Sequence, residues 1–168
     1  MGTTFCSIHI FSDVPPQGQE GAFRCLSPGW QTWVPSCEDP NDPLQTQKTA
    51  RRISKRTGAP VLWFYEFDEA VLCMKFYVGG RQAAFWSGDE INRNHLVSRI
   101  PELVGYPPNE KRRLSRILKC RDVGLQIRLL EEFLGVCLLP NRELMERDPK
   151  VLARQRGSEE FGRILSEK

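Results

Sequence analysis

The chain has 168 residues, of which 40% are apolar and 27% charged, and a net charge of +3. That length suits one domain, or one small domain with a helical extension, and it can bury enough surface to fold without a disulfide or metal staple. No apolar run approaches the roughly 20 residues needed to cross a bilayer, and MGTTFCSIHIFSD carries neither a signal-peptide pattern nor the Ser or Thr that myristoylation needs where Cys6 stands.

Cysteines stand at 6, 25, 37, 73, 120 and 137, with no two closer than twelve positions. There is no CxxC pair and no zinc-like spacing, so reduced thiols, a cytoplasmic location and no metal or cofactor are the expectation. The charge is unevenly spread. Residues 40–58 carry five basic residues against one acidic, and residues 89–121 eight against four, in a chain otherwise near neutral or acidic.

In chain order, TFCSIHIF at Thr4 to Phe11 alternates as a strand does, and Asp13-Val14-Pro15-Pro16-Gln17-Gly18 ends it. GAFRCLSPGWQTWVPSCEDPNDP reads as irregular, with a short strand at Trp30 to Val34. Trp30 and Trp33 in that segment are either binding anchors or, more commonly, aromatics folded back onto the core. A helix follows over 42–57, with Asp42 as N-cap, Pro43 at the first position and Gly58 as left-handed C-cap. Only a thin stripe of Thr46, Ala50, Ile53 and Thr57 is available to face a core.

VLWFYEFDEAVLCMKFYVGGRQAAFWSG, 61–88, reads as a three-stranded meander with turns at Asp68-Glu69 and Gly79-Gly80. Two-residue loops pair Phe67 with Ala70 and Val78 with Arg81. One face then holds Val61, Trp63, Tyr65, Phe67, Leu72, Met74, Phe76, Ala83 and Phe85. The other, including Leu62, Phe64, Lys75, Tyr77, Ala84 and Trp86, is too apolar for a solvated face, and is expected to pack against the helices that follow. Helices are predicted at 89–100, 108–120, 122–134, 141–147 and 149–167, the clearest being DVGLQIRLLEEFLG with Asp122 as cap and Gly135 as stop. The fold class is α+β, a mainly antiparallel sheet domain at 1–88 with a helical region at 89–168 packed on it.

For chemistry, Lys48, Arg51, Arg52 and Lys55 fall at i, i+3, i+4 and i+7 on one helix face with Arg56 beside them, and no acid follows Asp42 within the helix. Such a stripe engages phosphate backbone or an acidic protein, or is only a solvated face that complements the helix dipole. A second basic face, 111–121, surrounds Leu114, Ile117 and Leu118 without the signature of a recognition helix. His9 and His95 have no nucleophile at a recognisable spacing, Asp68-Glu69 is explained by its turn, and Gly79-Gly80-Arg81 is too short to cradle a phosphate. No catalytic activity is expected.

PVLWFYEFDEAVLCMKFYVGGRQAAFWSGD and RLLEEFLGV together resemble a set of uncharacterised bacterial α+β proteins. In these a Gly-terminated helix leads into a meander with one acidic and one Gly-marked turn, and then a helical tail. The chain departs from them at Ser87-Gly88-Asp89, where they carry an aromatic-rich segment. The resemblance brings no catalytic residues. It implies a bacterial immunity- or accessory-type protein acting by protein–protein interaction. The expected partner is therefore a protein, with a homodimer as one form. The alternative is a nucleic-acid-binding accessory protein using the basic faces at 48–56 and 111–121. The candidate binding face is Lys48, Arg51, Arg52, Lys55, Trp30 and Trp33.

Overall fold

The computed structural model describes residues 4–18, 22–34, 42–68, 70–88 and 96–140, and the fold is α+β. Six strands, β1 (Thr4–Phe11), β2 (Ala22–Ser27), β3 (Trp30–Val34), β4 (Val61–Phe67), β5 (Val71–Val78) and β6 (Arg81–Ser87), form one antiparallel sheet in the order β2-β3-β1-β4-β5-β6. Helix α1 (Pro43–Thr57) covers one face. Helices α2 (Ile100–Leu103), α3 (Lys111–Leu118) and α4 (Val123–Leu134) cover the other, with the following segment through Leu139. The predicted helices at 141–147 and 149–167, and the start of the one at 89–100, lie outside the described residues.

Strand β1 joins the meander by pairing along the whole of β4, from Thr4 opposite Phe67 to Ile10 opposite Val61. Strand β2 is a correction to the irregular reading of that segment. AFRCLS lacks clean alternation because the ladder to β3 breaks between Arg24 and Ser27, and a bulge interrupts the period-two pattern that betrays a strand.

The meander register differs from the expected one at its middle strand. The first loop has three residues, 68–70, so Phe67 pairs with Val71, and Asp68 takes the left-handed conformation (φ 54°) that Asp tolerates better than most residues. One extra loop residue flips every side chain of β5 relative to β4. Leu72, Met74 and Phe76 thus join Leu62 and Phe64 on the face toward the helical tail, while Cys73, Lys75 and Tyr77 join Val61, Trp63 and Tyr65 beneath α1. At the second turn Val78 pairs with Arg81 as expected. A bulge then shifts Phe76 to Ala84, which returns Phe85 to the Trp63 side and leaves Trp86 with the tail.

The two sides of the sheet are built differently. The tail side is one apolar cluster in which Phe64, Phe76, Leu130 and Phe133 are fully or almost fully buried. The sheet face opposite Trp63 packs against the helical region, but with Leu72, Met74 and Phe76 in the places expected of Cys73, Lys75 and Tyr77. Helix α4 opens where the Asp122 carboxylate accepts from the Leu125 N–H (2.7 Å) and stops at Gly135 (φ 67°). Its Gln126 is buried because the side-chain amide donates to the Ile117 and Leu118 carbonyls (3.2 and 3.1 Å), which ties α4 to the end of α3. The α1 side is thinner and held by polar contacts. Asp42 accepts from the Leu44 and Gln45 N–H groups, and the Gly58 N–H donates to Ser54. Thr46, Thr49, Ala50, Ile53 and Ser54 face the sheet, and Trp63 Nε1 donates to Thr46 Oγ1 (2.9 Å). Lys75 survives on this face because its ammonium lies over the Trp63 and Phe85 rings (5.6 and 5.1 Å).

Candidate functional site

The basic face of α1 is set in place by the β5–β6 turn. Arg51 Nε donates to the Gly80 carbonyl (2.9 Å), and the Gly80 N–H donates to Ser54 Oγ (3.2 Å). Gly80 has φ 78°, and a Cβ there would stand 2.8 Å from the Lys55 Cβ, so glycine is required for both conformation and approach. The Lys55 stem therefore lies on the turn while its amine reaches solvent. Lys48, Arg51, Arg52, Lys55 and Arg56 are all exposed. Where Arg51 and Arg56 make hydrogen bonds, the acceptors are the carbonyls of Gly80 and Gly18, which leave the positive charge un-neutralised. Arg51 also lies close to Tyr77, whose hydroxyl is pushed up to about 12 by burial, against the lowering effect of that guanidinium.

The other two members of the predicted face are elsewhere. Trp30 is 1% exposed on the tail side, with its indole N–H donating to the Leu134 carbonyl (3.0 Å). Trp33 is buried in the cluster beneath α1 with Ile8, Ile10 and Ile53. Both side chains belong to the core, because strand β3 lies inside the sheet between β2 and β1, where its residues meet a covering layer on each face. The four cations of α1 stand together; the tryptophans do not stand with them.

The second basic block, on and after α3, is tied to its neighbours through two of its cations. Lys111 pairs with Glu102 (3.0 Å), and Arg113 lies between Glu132 (3.0 Å) and Glu110 (3.9 Å) with its guanidinium over the Phe133 ring. It sits on the opposite side of the sheet from α1.

One polar constellation escaped the sequence. Ser7, His9 and Thr32 form a buried chain in which Ser7 Oγ donates to the Leu138 carbonyl (2.6 Å) and contacts His9 Nε2 (2.8 Å), while His9 Nδ1 meets Thr32 Oγ1 (3.0 Å). With the Ser7 proton committed to Leu138, His9 donates from Nε2 and accepts from Thr32 at Nδ1. Burial lowers the His9 pKa to about 3, opposed by the Leu138 carbonyl, so the ring is neutral. A serine beside an imidazole suggests a nucleophile and its base, but here the hydroxyl points its proton away from the ring and all three side chains are buried. The chain fastens the segment after α4 to β1, a junction 131 residues apart in sequence that spacing alone does not reveal. The Cys137 N–H adds a bond to Ser27 Oγ (3.1 Å).

Among the described residues no group of three His, Cys, Asp or Glu is placed to hold a metal ion, and Cys6, Cys25, Cys73, Cys120 and Cys137 are in no disulfide. No helix among them is long and apolar enough to cross a membrane. No family model, no curated protein and no solved structure matches the chain.

Proposed function

We propose that the protein acts by binding an acidic protein surface through the outer face of α1, and that it is a binding protein rather than an enzyme. The observation that carries this reading is the set of exposed cations Lys48, Arg51, Arg52 and Lys55 on one helix face, positioned against the β5–β6 turn through Gly80. A row of like charges on one helix face speeds encounter with a partner of opposite sign, and Arg51, held by the Gly80 carbonyl, needs little further ordering on association. A protein surface is favoured over nucleic acid because the two basic blocks lie on opposite sides of the sheet and cannot track one phosphate backbone together.

The test uses two polyanions. Poly-L-glutamate, standing in for an acidic protein surface, binds the wild-type chain, and replacing Lys48, Arg51, Arg52 and Lys55 with Gln removes that binding. Duplex DNA binds no better than about 0.1 mM at physiological salt, the weak end of non-specific association. Nanomolar DNA binding with a log–log salt slope near about −3.6, the signature of four neutralised phosphates, overturns this reading in favour of a nucleic-acid partner. Polyglutamate binding that survives the quadruple change overturns the assignment of the face.

A further inference from the structure

A cleft of about 830 Å³ opens between the end of β6 and the helices α3 and α4, on the side of the sheet away from the basic face of α1. That volume lies within the roughly 300–1,000 Å³ typical of small-molecule sites. Its floor is apolar, made by Leu72, Trp86, Leu114 and Leu118. Among the described residues its charged lining is of one sign only. Lys111, Lys119 and Arg121 contribute to the wall, and no Asp or Glu does so among the described residues. Lys111 is already paired with Glu102, whereas Lys119 and Arg121 have no ion pair among the described residues. Trp86 is only 6% exposed, and its indole N–H, which makes no hydrogen bond among the described residues, is not a buried donor and so reaches the solvent of the cleft.

We infer that this cleft binds a small amphiphilic anion, with a carboxylate, sulfonate or phosphate head at Lys119 and Arg121 and an alkyl or aromatic body over Trp86 and Leu72. The apolar floor supplies most of the affinity, since it gains from every methylene withdrawn from water. The two cations select the charged head, and arginine adds the planar pair of donors that suits a carboxylate or phosphate. Ser115, exposed on α3, stands at the rim and offers a place to close the cleft without touching the core.

The probe is decanoate, titrated calorimetrically into the full chain, with decanol as its uncharged counterpart. Decanoate binds with a Kd on the order of 0.1 mM, as expected of a ligand of about a dozen heavy atoms. The indole N–H resonance of Trp86, identified by its loss in Trp86→Phe, moves during the titration. Replacing Lys119 and Arg121 together with Gln weakens decanoate about five- to tenfold, the weight of two exposed charge contacts, and leaves decanol unchanged. Ser115→Trp, with an unchanged melting temperature, abolishes binding of both. Absence of decanoate binding up to millimolar concentration overturns the inference. So does a Trp86 resonance that stays fixed, decanol binding as tight as that of decanoate, or binding that survives Ser115→Trp.

Discussion

Helices α1 and α3 carry basic blocks that look alike in the sequence and are anchored in different ways at their best-held cations. On α3, Lys111 and Arg113 are answered by Glu102, Glu110 and Glu132, and the helix rests on a deep apolar cluster. On α1, Arg51 and Arg56 donate to backbone carbonyls, and the helix holds to the sheet through Ala50, Ile53 and polar contacts from Thr46 and Ser54. A cation bonded to a carbonyl is fixed in place but keeps its charge, whereas one paired with a carboxylate loses most of its field. Two similar basic blocks are therefore held differently at Lys111 and Arg113 on one side and at Arg51 on the other, while Arg116 of α3, like Arg51, donates to a backbone carbonyl.

The difference in anchoring is sharpened first by Phe64→Ala. Phe64 is fully buried between the sheet and the helical tail, and its truncation is expected to cost about 3–5 kcal/mol by chemical denaturation. A loss under about 1 kcal/mol would mean that the tail does not seal that face.

The tail side also carries a titratable lock, and pH should separate it from the α1 side. The folded protein holds His9 neutral with a pKa near 3, while the unfolded chain protonates it at about 6.5. Below about pH 6.5 the unfolded state binds the additional proton, so stability is complete above that value and is lost toward pH 3, by about 1.4 kcal/mol for each pH unit. His9→Gln is expected to be less stable at neutral pH and to show a flatter decline between pH 6 and 4. A decline as steep as the wild type would place the acid sensitivity elsewhere.

The smaller effect belongs to the α1 side. Trp63→Phe keeps the ring on Tyr65 and under Lys75 and removes the bond to Thr46 Oγ1. The expected loss is about 1 kcal/mol, read from the denaturation midpoint. A loss comparable to that of Phe64→Ala would make α1 as deeply anchored as the tail and dissolve the contrast.

What the sequence disclosed follows from which signals are local. The caps Asp42 and Gly58, the stop at Gly135, the strand Thr4–Phe11 and the basic spacing on α1 are each written within a few residues, and each stands in the structure. The register of β5 was not legible, because one extra residue at Asp68 reverses a face without altering the alternation that marks the strand. Strand β2 was hidden by its bulge. Within the candidate face the four cations were legible from helical periodicity, but the turn at Gly80 that positions Arg51 and Lys55 lies 29 residues from Arg51. The burial of Trp30 and Trp33 depended on their strand being interior to the sheet, a matter of topology.

The most direct test of the contrast between the two helices sets two triple-charge changes side by side. Arg51, Arg52 and Lys55 are replaced with Gln in one variant, and Arg112, Arg113 and Arg116 in another, and polyglutamate binding is measured at one ionic strength with circular dichroism as the control for folding. Loss of binding in the α1 variant, with near wild-type binding in the α3 variant, is the expected result. Equal loss in both, or loss in the α3 variant alone, would contradict the assignment of the binding face to α1.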